Sequence, residues 1–414
     1  MKDFSQHIER NNKLKKKILF IINFMPLPNS NSNSRFLYLL DLIDYNKFDV
    51  EVVTSDFYHY AKAKKDINTK EMSKLPYKMT LIDEPGYKKN VCLKRFYSHY
   101  KLGKNIEKYL EKLDYKPDII YSSVPSLSVA TAASKFANKN NIRFIVDVQD
   151  LWPEAFKMVF NIPIINNIIF MPMEKMANKI YSSADDIVAV SETYVERAAK
   201  VNNKYNNKLS VFLGTNLDDF DNIIKNSTFR YNDNYIRVAY IGTLGHSYDI
   251  ISVIKSIKLI KDKGFENIKF LIMGDGPLKN SFMDYAKECG VDCEFTGNLV
   301  YSEMVERLVN CDIAVNPIQA NSAASIINKV GDYAAAGLPV INTQESKEYK
   351  NLLMSYNAGY NVENGNFEQI ADKIITLIKD NNLRLAMGKN NRRLAEDKFD
   401  RNKTYQKIIR MFEI

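Results

Sequence analysis

The sequence contains few of the residues that bind metal ions. Its 414 residues include four cysteines and four histidines. Cys289 and Cys293 are four residues apart, but no second Cys or His pair lies nearby, and the histidines show no ligand spacing. A structural zinc site needs two such pairs of ligands. We therefore expect buried, reduced thiols and no metal site.

Long apolar runs are also absent. No stretch of eighteen apolar residues occurs, so no membrane-spanning helix is expected. Segment 1–17 is polar and rich in lysine, and the apolar core of a signal peptide does not follow it. These absences favour a cytoplasmic protein. The chain is too long for one hydrophobic core, which favours two domains of roughly 200 residues each.

Positive charge and aromatic rings are concentrated in one segment. The formal net charge is +9, and segment 57–117 holds fifteen Lys or Arg residues against seven Asp or Glu residues, interleaved with Phe and Tyr. This pattern suits an anionic membrane surface or a nucleic acid. The alternative is a solvated helical face with aromatic residues in the core. We prefer the membrane surface and expect no nucleic-acid partner.

A second segment with a possible membrane role is apolar. Segment 156–173 is rich in Ile, Phe and Met, and we expect Pro163 and Pro172 to break it. We interpret it as a lip that enters a bilayer. A core helix or a dimer contact is the alternative.

Strands and helices alternate along the chain, and the alternation begins twice. The strands of the first series are predicted at 15–24, 48–54, 117–121, 143–147, 185–190 and 209–213. Those of the second series are predicted at 235–241, 268–273, 293–296, 313–317 and 339–342. A final amphipathic helix is predicted at 401–412. Such alternation is typical of doubly wound parallel sheets, so we expect an α/β protein with two Rossmann-like domains facing across a cleft and a linker at 216–234.

A candidate nucleotide site lies in segment 325–341, which reads SIINKVGDYAAAGLPVI. Lys329 and Asp332 are three residues apart and share one face of a predicted helix. Gly337 and Pro339 end this helix, and a strand follows at once. A lysine near a helix N-terminus suits a phosphate group, and a carboxylate one turn later suits a sugar diol. The pattern indicates a pocket for a nucleotide sugar, with an ordinary βα unit as the alternative.

Six motifs follow one another in the chain: ILFIINFMPLP at 18–28, DVQDLWPE at 147–154, ADDIVAVSE at 184–192, YIGTLG at 240–245, GDGP at 274–277 and KVGDYAAAGLPVI at 329–341. In this order they resemble the retaining glycosyltransferases of the GT-B architecture, and more narrowly family 4 of bacterial capsule and O-antigen enzymes. The DVQDLWPE motif is similar to that of enzymes that add amino-deoxy sugars, including fucosamine-type transferases.

The resemblance implies a function. The donor would be a UDP-sugar of the N-acetylamino type, and the acceptor would be a hydroxyl of a lipid-linked glycan precursor in surface polysaccharide synthesis. Transfer would retain the anomeric configuration and would need no metal ion and no cofactor. The protein would be cytoplasmic and peripheral on the inner face of the cell membrane, with the anionic membrane surface as a partner.

The resemblance also implies a division of labour along the chain. Residues 1–215 would form an N-terminal, acceptor-binding Rossmann-like domain. Residues 216–395 would form a C-terminal domain that binds the nucleotide sugar. Residues 396–414 would form a C-terminal helix that crosses back and packs on the N-terminal domain.

Carried over residue by residue, the motifs give a candidate site. Asp150 is the candidate catalytic group, with a helix N-cap as the alternative role. The nucleotide-sugar residues would be Gly242, Thr243, Leu244, Gly245, His246, Gly274, Asn298, Leu299, Lys329 and Asp332. The acceptor side would include Asn29, Arg35, Trp152 and Glu154. Packing in the core is the alternative for Trp152, and plain surface exposure is the alternative for His246.

The sequence departs from the family pattern at several positions. The family commonly carries two Glu residues eight apart, and here those positions hold Ala324 and Asp332. The Arg and Lys that follow the first strand of the second domain are replaced by Thr243 and Asp249. The pyrophosphate charge would then fall to the backbone N–H groups of 242–245, to Lys329 and to His246. Because of Ala324, a non-catalytic GT-B partner subunit remains an alternative, and a UDP-sugar epimerase is a further one.

Overall fold

A computed structural model of the protein describes residues 15–28, 34–66, 69–90, 92–159, 163–204, 207–320 and 326–414. Asn29 and Ala324 lie outside the described residues. Within these ranges the chain forms two parallel sheets and one short antiparallel ribbon. The predicted fold class, an α/β protein with two Rossmann-like sheets, is confirmed.

The first series of elements runs from the start of the described chain to residue 210. Its strands are β1 (Lys16–Ile22), β2 (Phe48–Ser55), β3 (Phe57–Tyr58), β4 (Ala63–Lys64), β5 (Lys78–Ile82), β6 (Ile119–Val124), β7 (Arg143–Val148), β8 (Asp186–Ala189) and β9 (Lys208–Ser210). Its helices are α1 (Arg35–Leu42), α2 (Thr69–Met72), α3 (Leu93–Glu111), α4 (Leu127–Asn140), α5 (Glu154–Val159), α6 (Pro163–Ser183) and α7 (Glu192–Ala199).

Among the described residues, the first sheet has seven strands in the order β5-β2-β1-β6-β7-β8-β9. The central strand β1 reads KKILFII, and its last five residues are buried, as expected of a parallel strand that is covered on both faces. Chain order reverses direction between β1 and β6. Their carboxyl ends therefore form the switch point at which sheets of this kind bind ligands.

The second series of elements repeats the pattern. Its strands are β10 (Ile236–Ile241), β11 (Ile268–Met273), β12 (Cys293–Gly297), β13 (Ile313–Asn316), β14 (Val340–Asn342) and β15 (Gly359–Asn361). Its helices are α8 (Leu217–Asn226), α9 (Ile250–Asp262), α10 (Lys279–Glu288), α11 (Tyr301–Leu308), α12 (Lys329–Ala335), α13 (Lys347–Tyr356), α14 (Phe367–Lys379), α15 (Asn381–Leu394), α16 (Arg401–Thr404) and α17 (Gln406–Glu413). A π-helical turn, Ala395–Phe399, follows α15.

The second sheet, as far as the structure describes it, has the strand order β12-β11-β10-β13-β14-β15. Apolar clusters cover both of its faces, with Val238 and Tyr240 of β10 on one side and Ala239 and Ile241 on the other. The switch point lies between β10 and β13. The segments that follow these two strands are therefore placed to bind a ligand.

The residue contacts divide the chain into two compact units. The first unit comprises Met1–Trp152, Pro172–Ile187 and Val201–Asn207. The second unit comprises Pro153–Met171, Val188–Lys200 and Lys208–Ile414. The domain boundaries given above stay a prediction.

The segment predicted as a linker contains helix α8, which the Asn216 side chain caps by accepting a hydrogen bond from the Asp219 N–H, and the linker itself stays a prediction. Two predictions about local structure are wrong. Pro172 does not break segment 156–173, because it lies inside α6, whereas Pro163 starts that helix, where a missing N–H costs nothing. The final helix is interrupted at Tyr405, whose hydroxyl donates a hydrogen bond to the Leu213 carbonyl at 2.8 Å.

None of the helices, within the part of the chain that the structure describes, is both long enough and apolar enough to cross a membrane.

Candidate active site

A cavity lies at the carboxyl edge of the second sheet. Its volume is about 250 Å³. Its lining residues are Ile241, Gly242, Thr243, Met273, Gly274, Asp275, Asn298, Leu299 and Met304. The structure thus brings together five of the predicted nucleotide-sugar residues, which come from the turns after β10, β11 and β12.

Two glycine turns form the floor of this cavity. Gly242 has a φ of 131° and Gly274 a φ of 155°, a region that other residues rarely adopt. A Cβ atom on Gly274 would lie 1.9 Å from the Gly242 carbonyl oxygen, so only glycine lets the two turns approach each other. Glycine is therefore required at Gly274 by the packing of backbone on backbone, and it is favoured at Gly242 by the φ of that residue.

The hydrogen bonds of these turns correct one prediction. The Gly242 N–H donates to the Met273 carbonyl at 3.0 Å, and the Leu244 N–H donates to the Asp275 carbonyl at 2.9 Å. These two N–H groups are occupied and cannot meet a pyrophosphate without a rearrangement. Leu244 is fully buried and belongs to the core. No acceptor among the described residues meets the N–H groups of Thr243 and Gly245, which keeps them as candidates.

The side chain of Lys329 lies beside the first glycine turn. Its amino nitrogen is 4.0 Å from the centre of the Tyr240 ring and 3.9 Å from that of the Tyr248 ring. A Cβ atom on Gly242 would lie 2.8 Å from this nitrogen. The residue is 8 % exposed, and the nitrogen has no hydrogen-bond partner in the described parts of the chain. Burial lowers the pKa of Lys329 well below its ordinary value, because the charged form loses hydration.

Asp332 does not pair with Lys329, although both lie on α12 as predicted. Its Oδ1 atom accepts hydrogen bonds from the Thr215 and Tyr301 hydroxyls, each at 2.9 Å. Burial raises the pKa of Asp332, an effect opposed by these hydrogen bonds and by the charge of Arg401. Its Oδ2 atom receives no hydrogen bond from the described residues. That oxygen can therefore accept from a ribose hydroxyl.

The other polar residues near this edge have separate roles. Asp249 caps α9 by accepting a hydrogen bond from the Ser252 N–H at 3.1 Å. His246 is exposed on the same loop. Lys279, which was not predicted, begins α10, and its nitrogen lies 3.4 Å from Asp275. The sequence did contain a signal for Lys279, because this lysine follows the GDGP turn at the start of a helix, and such a helix start suits an anion.

The first unit gives Arg35 a structural role. The Arg35 Nε donates to Asp147 at 2.8 Å, and the Tyr121 hydroxyl donates to the same carboxylate at 2.5 Å. Arg35 and Asp147 are 3 % and 0 % exposed. A charge buried to this degree is tolerated only with an opposite charge beside it, so each of the two residues needs the other. The prediction that Arg35 contacts the acceptor is therefore corrected, because its charge is already paired within the core.

The DVQDLWPE motif also divides into separate environments. The Asp150 carboxylate is half-buried and accepts a hydrogen bond from the Leu151 N–H at 2.9 Å. Trp152 is 4 % exposed and stacks on His99 with the ring centres 5.6 Å apart, which favours a packing role over sugar stacking. Glu154 begins α5 and pairs with Arg197.

His, Cys, Asp and Glu side chains do not come together in threes that could hold a metal ion, as far as the described ranges show. The candidate site thus consists of a buried amine, two glycine turns and a carboxylate at one sheet edge. This set can bind a nucleoside diphosphate through its phosphates and its ribose.

Comparison with known proteins finds a family model that matches the second series of elements. Residues 219–394 match the model of the glycosyl transferases group 1. The predicted nucleotide-sugar residues, from Gly242 to Asp332, all lie inside this group 1 segment. The chain is also 27 % identical, over 312 residues, to the capsular polysaccharide biosynthesis glycosyltransferase CapM of Staphylococcus aureus, which covers 72 % of this chain and 77 % of CapM.

Solved structures with low sequence identity share the fold. HepE of Anabaena, crystallised in complex with UDP, matches with a TM-score of 0.68 and 14 % identity, over 96 % of this chain and 99 % of HepE. The sucrose-phosphate synthase of Thermosynechococcus elongatus gives a TM-score of 0.70 with 14 % identity, over 96 % and 98 % of the two chains. WaaG, a glycosyltransferase involved in lipopolysaccharide biosynthesis, gives 0.64 with 12 % identity, over 95 % and 99 %. The group 1 segment therefore belongs to a chain with the GT-B fold.

Proposed function

We propose that the protein is a glycosyltransferase that moves a sugar from a UDP-sugar to a hydroxyl of a lipid-linked glycan precursor. The observation that carries the proposal is the buried amino group of Lys329, which has no partner in the described chain and lies beside the Gly242 turn. A buried cation needs an anion to offset its lost hydration. The UDP bound by HepE is a ligand of this kind.

In the proposed reaction, negative charge develops on the β-phosphate as its bond to the sugar breaks. Lys329, protonated when the nucleotide binds, and the N–H groups of Thr243 and Gly245 stabilise this charge. Asp332 holds the ribose through Oδ2. Charge stabilisation by these groups makes a metal ion at the pyrophosphate unnecessary, and transfer retains the anomeric configuration, as in the family that the motifs resemble.

The acceptor hydroxyl must lose a proton as it attacks the sugar. We assign this role, or the positioning of the donor sugar, to Asp150, which follows β7 at the carboxyl edge of the first sheet. Both CapM and WaaG act, by their names, in the synthesis of surface polysaccharides. The acceptor is accordingly a lipid-linked precursor of such a polysaccharide, bound by the N-terminal domain at the inner face of the membrane, and the donor sugar is of the N-acetylamino type.

A second candidate function is a non-catalytic partner subunit. It is favoured by Ala324, which replaces a carboxylate of the family pattern. A subunit of this kind would bind UDP and would not turn over a UDP-sugar.

Incubation of the purified protein with a panel of UDP-sugars tests the proposal. UDP release that depends on a lipid-linked acceptor supports a transferase. Binding without release supports the partner subunit, and conversion of UDP-N-acetylglucosamine to an epimer without acceptor supports an epimerase. The Lys329→Met variant is the matched control, because it removes the amine and keeps a side chain of similar length.

A further inference from the structure

Two cations of the first unit lie together without a carboxylate. Lys62 ends the loop of the β3–β4 hairpin, and Arg95 lies in the first turn of α3. Lys62 donates to the Asn90 side chain at 2.6 Å, and Arg95 donates to the Asn90 carbonyl at 2.8 Å. Neither residue has an ion pair with any described carboxylate. Burial and the nearby charge of Arg95 lower the pKa of Lys62, so the two like charges oppose each other.

Aromatic rings hold both cations in place. The guanidinium of Arg95 lies 4.7 Å from the Trp152 ring centre and 5.5 Å from that of Tyr87. The Lys62 nitrogen lies 5.0 Å from the centre of the same Tyr87 ring. Contacts with ring faces leave N–H groups available for hydrogen bonds to an anion. The Arg95 Nε is buried and has no partner among the residues that the structure describes.

The ring of His99 completes this cluster. It stacks on Trp152 with an interplanar angle of 5° and is 3 % exposed. Within the described ranges, neither of its ring nitrogens has a hydrogen-bond partner. Burial, with the charges of Arg95 and His59, lowers the pKa of His99 to about 3, so the ring is neutral at pH 7 and keeps one N–H to donate. An unmet donor this deep in the protein needs an explanation such as a bound ligand.

The adjoining surface combines a helix N-terminus with exposed apolar side chains. The cap residue of the nineteen-residue helix α3, Cys92, accepts no hydrogen bond from the first N–H groups of the helix, and the first turn holds no acidic residue, so the positive end of the helix dipole is not offset there. Leu93, Tyr97 and Tyr100 lie along one face of α3 and are 86 %, 53 % and 53 % exposed. A positive pocket beside an exposed apolar face matches a phosphate group that carries an apolar chain.

We propose that Lys62 and Arg95, with His99 beside them, bind the phosphate or diphosphate group of a lipid, and that the face of α3 receives its apolar chain. This proposal rests on the proposed function in one point. The phosphorylated lipid is taken to be the carrier of the acceptor glycan. It consists only of residues of the first unit, and the nucleotide residues belong to the second.

The chain has a single tryptophan, Trp152, which lies under Arg95 and therefore reports on this site by its fluorescence. The titration uses geranyl diphosphate as a soluble probe, in the presence of saturating UDP so that the nucleotide site is filled. A second titration uses phosphatidylcholine vesicles that contain phosphatidylglycerol. We expect geranyl diphosphate to change the emission of Trp152 while UDP stays bound, and inorganic pyrophosphate to do so more weakly.

The variants are Lys62→Asn, which tolerates the φ of 55° at this position, and Arg95→Met. Each should weaken binding of geranyl diphosphate about tenfold, the effect of one charged hydrogen bond. The matched control is Lys139→Gln, an exposed lysine of α4 in the same unit and outside segment 57–117, which should change it less than about twofold. If Arg95→Met does not fold, the affinity of Lys62→Asn for geranyl diphosphate decides whether the proposal holds.

Three results would overturn the proposal. They are equal binding by Lys62→Asn and wild type, displacement of geranyl diphosphate by UDP, and binding to anionic vesicles with no binding of the soluble diphosphate. The last of these would indicate a diffuse surface charge. A failure of UDP itself to bind would instead contradict the nucleotide site and the proposed function, because geranyl diphosphate can still be titrated alone.

Discussion

Replacement of Lys329 by methionine should weaken nucleotide binding and raise the stability of the unliganded protein. A hydrogen bond to a charged group contributes about 1.5–3 kcal/mol, so Lys329→Met should weaken UDP binding by roughly 10- to 150-fold. The same change removes a buried amine that has no hydrogen-bond partner among the described residues. Because such a group costs about 1–3 kcal/mol, the unliganded variant should be more stable than wild type by a similar amount.

The pH dependence of binding follows from the same residue. The pKa of Lys329 is lowered in the free protein, and a phosphate beside it raises that pKa when UDP binds. Between the two pKa values, binding takes up a proton. The affinity for UDP should therefore fall as the pH rises through this window, by up to about tenfold per pH unit.

The number of protons taken up per UDP bound is measured by calorimetry at one pH in two buffers that differ in ionisation enthalpy. We expect an uptake of up to one proton per UDP for wild type and a smaller uptake for Lys329→Met. Lys258→Met is the control, since Lys258 is exposed and pairs with Asp262 at 3.1 Å on the same helix. Equal UDP affinity for Lys329→Met and wild type, or a less stable Lys329→Met, would refute the reasoning.

Three further predictions test the other elements of the account. Asp332→Ala should weaken UDP binding by about 1–3 kcal/mol in calorimetry, and unchanged binding would contradict the ribose role. Burial raises the pKa of Asp332, so the UDP affinity of the wild type should fall on acidification at a higher pH than an ordinary carboxyl group would give. Transfer should survive EDTA, and loss of activity that Mn²⁺ or Mg²⁺ restores would contradict a metal-independent reaction. Charge reversal at Lys88, Lys89, Lys94 and Arg95 should lower sedimentation with anionic liposomes mainly at low salt, because salt screens charge. Polar replacement of the exposed Ile168 and Ile169 should lower sedimentation at every salt concentration. Wild-type protein that fails to sediment with these liposomes at low salt would argue against membrane binding.

Most of the fold follows from patterns that are local in the sequence. The run KKILFII predicts β1, and the strand-glycine-helix order around Gly242 and Gly274 predicts the turns that line the cavity. Four strands were missed: β3 and β4, which have only two residues each, and β5 and β15 of the parallel sheets. β5 is partly exposed along most of its length, and β15 has only three residues, so neither produces a clear buried run.

The partners of the polar side chains could not be predicted in this way. Asp147, which neutralises Arg35, is 112 residues away in the chain, and Thr215, which bonds to Asp332, is 117 residues away. Only the folded structure brings these groups together. For the same reason the sequence could name Lys329 as a phosphate ligand but could not show that its amine is buried against two tyrosine rings.

The proposed function requires that this protein transfers sugar from UDP-sugars. Mass spectrometry of reactions that contain a UDP-N-acetylamino sugar and a lipid-linked acceptor tests this claim directly. The account predicts that UDP and an acceptor heavier by one sugar residue form in equal amounts, and that Lys329→Met greatly slows both. UDP-sugar that remains intact across the whole donor panel, with no binding of UDP, would contradict it.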